Sequence, residues 1–234
     1  MNSKILVTGE DGRFAKVLKK KNQKLNLIFK SKKELDILKL SSIEKCINKH
    51  KPKYILHTAG LSRPMNIHEK NIGKSIDLNI IGTCNVVKVC KKHKIKLIYF
   101  STGYVYAGIK GKYREVDPVK PFNNYGLSKL GGECAVQMYD NSLILRITMT
   151  EKPFVHKFAY SNLITNFMYH EDFVKILPKL INKKGIINVG GKSQSVYSFA
   201  KSKKLNVKKK LAKKSFKLPL KQDMNLKLLK SILK

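Results

Sequence analysis

Tyr125 and Lys129 stand four residues apart in the run Tyr-Gly-Leu-Ser-Lys, so on a helix they share one face, about a turn apart. A lysine ammonium beside a phenol favours the phenolate and lowers its pKa, which suits the phenol to give up a proton near neutral pH. Alone, the pair is a common surface pattern. Two further features accompany it. Upstream, Ser101-Thr102 closes an apolar run and offers a hydroxyl at a strand end. At the amino terminus, Gly9-x-x-Gly12-x-x-Ala15 follows the β-favouring run Lys4-Ile-Leu-Val-Thr8. Such a turn lets the backbone approach a pyrophosphate at a helix N-terminus, where free N–H groups and the helix dipole favour anions. An ordinary strand-to-helix turn would read the same way by itself. Together the three features fall in the order a hydride-transfer site needs: cofactor phosphate, hydroxyl donor, proton donor.

Alternating strands and helices must position these groups. After Gly12 the pattern is helical, with Phe14, Val17 and Leu18 on one side. A strand is expected at Leu25 to Phe29, and a helix at Ser41 to His50 with Ser41 or Ser42 as its cap. The run from Lys53 to Gly60 is apolar and ends in small residues. Ile80, Thr83, Val87 and Cys90 give helical spacing within Ile76 to Lys92, and Lys96 to Thr102 reads as a strand. This alternation predicts an α/β fold with a doubly wound parallel sheet. Ligands of such sheets sit at the carboxyl ends of the strands, where Gly9, Ala59 and Thr102 fall. After a turn-rich stretch through Asp117-Pro118 and Lys120-Pro121, a helix is expected from Tyr125 to Tyr139 and a strand from Ser142 to Ile147. Beyond Thr150 the pattern loosens, with helices at Glu171 to Asn182 and Met224 to Leu233 and a strand at Gly185 to Val189. The expected division is a cofactor domain over residues 1–150 and a small lobe over 151–234, interleaved with the first.

The 234 residues, 42% of them hydrophobic, suffice for a sizeable core and argue against wholesale disorder. No apolar run reaches the length of a membrane span, and the opening residues are too short an apolar stretch for a signal peptide. Cys46, Cys84, Cys90 and Cys134 contain no Cys-x-x-Cys pair, so neither a zinc site nor a disulfide framework is supported and a cytoplasmic location is expected. The formal charge of +34 would point to nucleic acid on sign alone. Only Arg13, Arg63, Arg114 and Arg146 are arginine, however, and the lysines are scattered from Lys4 to Lys234. Without arginine forks or a basic arm, neither a specific nucleic-acid partner nor a membrane partner is expected. The charge would still draw in phosphorylated small molecules, most strongly at low salt. Within Lys201 to Lys214, the clusters Lys203-Lys204 and Lys208-Lys209-Lys210 read as a solvated helix face or loop.

The segment Tyr99-Phe-Ser-Thr-Gly-Tyr-Val-Tyr-Ala-Gly108, then Gly111-Lys-Tyr-Arg-Glu-Val-Asp-Pro118, Pro121 and Asn124-Tyr-Gly-Leu-Ser-Lys-Leu-Gly-Gly-Glu133, resembles the extended short-chain dehydrogenases/reductases. Within them it is most similar to the dTDP-4-dehydrorhamnose reductase group. Weaker resemblance runs through Asp36-Ile37, His57-Thr-Ala-Gly60, Asn79-Ile-Ile-Gly82, Leu145-Arg146 and Asn188-Val-Gly-Gly191. The resemblance implies a Rossmann-type sheet with a small C-terminal substrate lobe. It implies NAD(P)H-dependent reduction of a 4-keto-6-deoxy nucleotide sugar in the cytoplasm, with Thr102, Tyr125 and Lys129 as catalytic residues. Tyr125 would protonate the substrate carbonyl oxygen, Thr102 would hydrogen-bond that oxygen, and Lys129 would tune Tyr125 and hold the nicotinamide ribose. Gly9, Asp11, Gly12, Arg13 and Phe14 would line the pyrophosphate, Asp36 and Ile37 the adenine, and Ala59, Gly60 and Leu61 the underside of the cofactor. Thr102, Gly103 and Met149 would face the substrate. A homodimer through the helix of Tyr125 and its neighbour is a habit of the family.

Where NAD-binding turns place an acidic residue about twenty positions on, this chain has Lys30-Ser31-Lys32-Lys33. That favours NADPH over NADH, with Lys30 and Ser31 at the 2′-phosphate. Gly103 and Met149 depart from the group, which usually has an acidic and an aromatic residue there, and the C-terminal region is short. Epimerisation or dehydration of a nucleotide sugar, and a non-catalytic cofactor-binding relative, are therefore alternatives. His57 reads as packing beside the cofactor strand, while His68-Glu69 and His170-Glu171-Asp172 read as solvated helix ends rather than metal ligands. Tyr104 and Tyr106 are expected to border the pocket.

Overall fold

A computed structural model describes residues 3–202, 206–213 and 218–234. The apolar runs become strands buried on both faces, as a parallel sheet covered by helices requires. Along the chain these are β1 (Lys4–Thr8), α1 (Arg13–Lys21), β2 (Asn26–Lys30), α2 (Leu40–His50) and β3 (Tyr54–His57). A short α3 (Ile67–Lys70) precedes α4 (Ile72–Ile76), which runs through a π-helical turn (Asp77–Ile81) into α5 (Gly82–Lys92). β4 (Lys96–Thr102), α6 (Asn124–Gln137) and β5 (Ser142–Ile147) complete the first half. Every residue of β3, β4 and β5 is buried.

The second half contains β6 (Met149–Thr150), β7 (Phe158–Tyr160), β8 (Ile164–Thr165), β9 (Met168–Tyr169) and α7 (His170–Leu180). It continues with β10 (Gly185–Val189), β11 (Gln194–Ser195), α8 (Val196–Ser202), β12 (Lys208–Lys210) and α9 (Lys227–Leu233). β10 returns to the main sheet, whose order is β10-β5-β4-β3-β1-β2 with every pair parallel. Side chains alternate between two cores. Ile5, Val7, Ile98 and Phe100 face α1, α7 and α9 through Phe14, Leu18, Phe173, Leu177 and Leu229. Leu6, Ile55, Leu97 and Tyr99 face α2, α5 and α6 through Ile43, Ile47, Val86, Val89 and Val136. A third cluster, with Phe154, Leu163, Tyr169 and Phe199, holds the short strand pairs together.

The order reverses between β1 and β3, and the crevice at their carboxyl ends is where a doubly wound sheet accepts ligands. β4 outruns β3 there: His57 pairs with Tyr99, and Phe100, Ser101 and Thr102 continue past it.

Several expected details change. α2 starts one residue early at Leu40 with Lys39 as N-cap, and neither Ser41 nor Ser42 caps it; Ser42 Oγ instead accepts the Asp36 amide at 3.0 Å. The final helix begins at Lys227 because Met224 is engaged in a bridge with Tyr113. Lys208–Lys210 is an exposed strand on β7 rather than a loop or helix face, while Lys203 and Lys204 lie outside the described residues. Among the described residues, all four cysteines are free and no helix is long and apolar enough to cross a membrane.

Candidate active site

The glycine turn has its shape for a steric reason. Gly9 takes a left-handed φ of +77°, and a Cβ there would lie 2.7 Å from the Ala59 Cα. The Gly9 and Glu10 amides donate to the Lys30 carbonyl, and the Gly12 amide donates to the Gly9 carbonyl. α1 then starts at Arg13 with Gly12 as N-cap, without a side-chain cap or an acidic residue in its first turn. Amides left this way at a helix start are donors for an anion. Two cavities meet at this turn. One of about 200 Å³ is bordered by Asp11, Lys32, Asp36, Ile37 and Ala59, with Gly9 and Gly12 at its floor. The other, about 600 Å³, runs from Gly12 and Arg13 past Gly60 and Leu61 to Thr102, Tyr125 and Lys129. The two cavities share Gly12, Thr58 and Gly60 and so form one elongated cleft that reaches Tyr125.

Phe14 reaches the larger cavity as well, though its ring packs inward on Phe100 and Phe173, with centroids 5.1 and 5.4 Å away. Lys30 and Ser31 line neither cavity, contrary to expectation. Lys30 Nζ lies 2.8 Å from Glu34 Oε1, and Ser31 donates to Glu34 Oε2 from its amide and its hydroxyl. The bond from Lys30, then those from Ser31, hold the Glu34 carboxyl at about 2. A carboxylate four residues on, in the turn after β2, has taken the lysine that was expected to meet a phosphate, and Lys32 is the basic residue that borders the cavity.

Thr102 and Tyr125 are brought together by close packing. Asn123 Oδ1 accepts the Gly126 amide at 2.8 Å and starts α6. A Cβ at Gly126 would lie 2.5 Å from the Tyr104 carbonyl oxygen, so a side chain there would push the helix start away from Thr102. Burial pushes the Tyr125 phenol up to about 12, against the opposing influence of the Thr102 side chain and the fields of Arg63 and Arg13. The phenol is thus raised, where the sequence led to the expectation of a lowered one beside Lys129. Lys129 Nζ sits over the Tyr99 ring, 4.1 Å from its centroid, and burial brings its own pKa down to about 7, opposed by Glu133 one turn on. Glu133 in turn meets Arg146 at 2.6 Å and Ser101 Oγ at 2.5 Å, all buried under the helix.

On the substrate side Met149 lines the larger cavity, and Gly103 does not. Gly103 is buried against Thr148 and Met224; a Cβ there would lie 2.8 Å from Thr148 Oγ1. Tyr104 borders the cavity but Tyr106 does not, because a one-turn 3-10 helix over Gly103–Val105 breaks the strand alternation. Tyr106 is buried, stacked on Tyr113 at 4.8 Å. His57 is packing: its nitrogens meet the Thr8 and Thr83 hydroxyls at 2.9 and 3.2 Å, and burial holds it neutral with a pKa of about 3. His68 and His170 are buried, not solvated. The His68 ring lies 5.0 Å from Tyr125 with Nδ1 2.8 Å from Ser75 Oγ, and His170 stands edge-on to Phe14. Neutral imidazoles pack this way because most of the ring is apolar. Among the described residues no group of three or more His, Cys, Asp or Glu is placed to hold a metal ion.

Sequence reasoning missed Asn79 as a site residue. It sits on the π-helical turn, buried, and accepts the Leu61 amide at 2.7 Å while donating to the Leu61 carbonyl and the Ser128 hydroxyl. It thus ties the loop under the larger cavity to the helix of Tyr125. The resemblance through Asn79 to Gly82 hinted at the position but not at this bridge. Asn79→Ala leaves the Leu61 backbone groups unpartnered and is expected to cost about 1–3 kcal/mol. A fall in the urea midpoint at unchanged m checks this; an unchanged midpoint would show that the bridge carries no stability.

The model of the RmlD substrate binding domain matches residues 3–187. The chain belongs to this family. A dTDP-4-dehydrorhamnose reductase of Aggregatibacter actinomycetemcomitans is 26% identical over 192 residues, 80% of this chain and 60% of that protein. Methionine adenosyltransferase 2 subunit beta of Xenopus laevis is 35% identical over 114 residues, 48% of this chain and 34% of that one. The chain therefore spans less than two thirds of the length of these curated relatives. A crystal structure of dTDP-4-dehydrorhamnose reductase from Bacillus anthracis in complex with NADP superposes with a TM-score of 0.84 at 24% identity, covering 99% of this chain and 92% of that one. Membership and fold agree with the resemblance read from Tyr99 to Glu133.

Proposed function

We propose that this member of the RmlD family reduces the keto group of a nucleotide-linked deoxysugar, a 4-keto-6-deoxyhexose, using NADPH or NADH. The observation that carries the reading is the convergence of Thr102, Tyr125 and Lys129 at one end of a cavity whose other end is the glycine turn. When bound, the reduced nicotinamide supplies a hydride. Tyr125 holds the proton at Oη for the carbonyl oxygen, and Thr102 hydrogen-bonds that oxygen. Lys129, buried beside them, meets the nicotinamide ribose. Gly9, Gly12, Arg13 and the first amides of α1 hold the diphosphate, and Asp36, Ile37 and Ala59 border the adenosine. Met149 meets the sugar. The cofactor domain is residues 1–150 together with β10, and the lobe built on Phe154, Leu163 and Phe199 closes over the substrate.

Lys32 at the small cavity supports NADPH, whereas the neutralised Lys30 weakens that preference. Ile72, Ile76 and Ile81 on α4 and the π-helical turn, with Leu127 on α6, are exposed and support a homodimer. The likeness to methionine adenosyltransferase 2 subunit beta favours a second reading, a cofactor-binding subunit without turnover.

Oxidation of NADPH and NADH, followed in parallel with dTDP-4-keto-6-deoxyglucose and its epimerised product, tests the proposal. Turnover with either sugar is the expected result. Cofactor binding without turnover on any 4-keto nucleotide sugar would favour the second reading.

A further inference from the structure

Tyr125, Lys129 and Glu133 follow one another along α6 at intervals of one turn. The first two line the larger cavity, whereas Glu133 does not and is 0% exposed. Its Oε1 accepts from Arg146 Nη2 at 2.6 Å and from Arg146 Nε at 3.1 Å, and its Oε2 accepts from Ser101 Oγ at 2.5 Å. The guanidinium is held in turn, since Arg146 Nη1 donates to Tyr106 Oη at 2.7 Å and to the Glu115 carbonyl at 3.0 Å. Ser101 and Arg146 are register partners on β4 and β5, so a single carboxylate closes on both strands from the helix.

β4 meets α6 at a second point. Tyr99 lies two residues before Ser101 and so on the same face of the sheet. Its hydroxyl donates to the Lys129 carbonyl at 3.0 Å, while its ring faces the Lys129 ammonium. Tyr99 and Ser101 thus fix successive turns of α6, and the next residue of β4 is Thr102.

The charges around Lys129 do not balance without Glu133. Burial raises the Tyr99 and Tyr125 phenols and lowers the His57 imidazole, so all three are uncharged at neutral pH. Arg146 on β5 is a second buried cation. Across the cavity Arg13 and Arg63 are paired with Glu151, and burial lowers His156 and His170. Among the described residues of the elements packed around Lys129, the buried carboxylate is that of Glu133. A buried ammonium without a counter-charge gives up its proton readily.

We propose that Glu133 is a positioning residue for Lys129: clamped by Arg146 and Ser101, its carboxylate holds the ammonium as a cation one turn away and fixes α6 on β4, so that Lys129 and Tyr125 stay level with Thr102. Its part in turnover rests on the function proposed above; its hold on the ammonium does not.

A double-mutant cycle of the full chain, with Lys129→Met, Glu133→Gln and the two together, tests that hold by urea unfolding at pH 6 and pH 9. Glutamine keeps the shape of the side chain and removes its charge. Loss of the charge is expected to lower the Lys129 pKa by about one unit, the low end for a nearby opposite charge. At pH 6, Lys129→Met is then expected to shift the unfolding equilibrium about fivefold further towards the folded state in the Glu133→Gln chain than in the wild type. At pH 9 the lysine is neutral in both folds and the two shifts are expected to be equal. A side chain that only filled space would give the same coupling at both pH values. Where Glu133→Gln does not fold because Arg146 is left unpaired, Glu133→Gln with Arg146→Met removes both buried charges and carries the cycle with the same sign. In turnover, the limb that falls through about 7 is expected to move to about 6 in Glu133→Gln, with a rate about fivefold lower at pH 7. Additive effects of the two substitutions at pH 6 overturn the proposal, whether or not a nucleotide sugar is turned over.

Discussion

Tyr125→Phe is expected to lower turnover by about 10²–10⁴-fold while leaving the affinity for cofactor nearly unchanged. The substitution removes one oxygen and keeps the ring, whose packing against His68 and Tyr104, with centroids 5.0 and 6.0 Å away, is apolar. What is lost is the hydroxyl proposed above as the proton donor. Because burial puts the phenol at about 12, it is fully protonated at neutral pH and its proton is available throughout the working range. The wild-type rate therefore has no Tyr125 limb below about pH 11, a unit under that pKa. Steady-state oxidation of reduced cofactor, paired with calorimetry of cofactor binding, reads both halves of the prediction. Equal rates in the variant and the wild type would remove Tyr125 from the chemistry.

Lys129→Met is expected to separate stability from activity. The ammonium is buried, its nearest described partner is the face of Tyr99, and its pKa has come down to about 7. In the unfolded chain a lysine titrates near 10.4. Below pH 7 the charge must be carried into the fold, so folding bears the full cost. As pH rises from 7 towards 10 the unfolded state holds the extra proton, and the cost fades. A shift of about three units at 1.36 kcal/mol each makes that cost on the order of 4 kcal/mol. Methionine is of similar length and carries no charge. The variant is thus expected to be more stable than the wild type, most of all at pH 6, with the difference shrinking at pH 9. Turnover is expected to fall by at least about 100-fold, as for the loss of a positioned acid–base partner. In the wild type, activity that depends on the ammonium falls as pH rises through 7. Urea unfolding at pH 6 and 9 gives the stability half. A variant less stable than the wild type at pH 6 would mean that Lys129 is held by interactions stronger than the aromatic contact.

Much of the fold could be read along the chain. Lys96–Thr102, Ser142–Ile147 and Gly185–Val189 are strands at the expected boundaries, because continuous apolar runs have only a buried parallel sheet to enter. The glycine turn was legible because Gly9 needs a backbone conformation open to few other residues. The π-helical turn was not. Its register depends on Asn79 reaching Leu61 and Ser128, partners 18 residues before it and 49 after it. Among the described residues, the five β-strands after Thr150 that pair outside the main sheet escaped notice for a similar reason, being two or three residues long with no periodicity to display.

The sequence by itself determined the alternation of strands and helices as far as Ile147, the glycine turn, and the placing of Thr102, Tyr125 and Lys129 on neighbouring elements. These follow from local periodicity, helix spacing and the sterics of glycine, which act over a few residues. Only the tertiary structure decided which way charged and polar side chains turn. It laid Lys129 on Tyr99, buried His68 and His170, closed Gly103 against Met224, and set Glu151 between Arg13 and Arg63. Each of these depends on a partner distant in sequence and on how much water the fold leaves around the group, and neither is written in the spacing of residues along the chain.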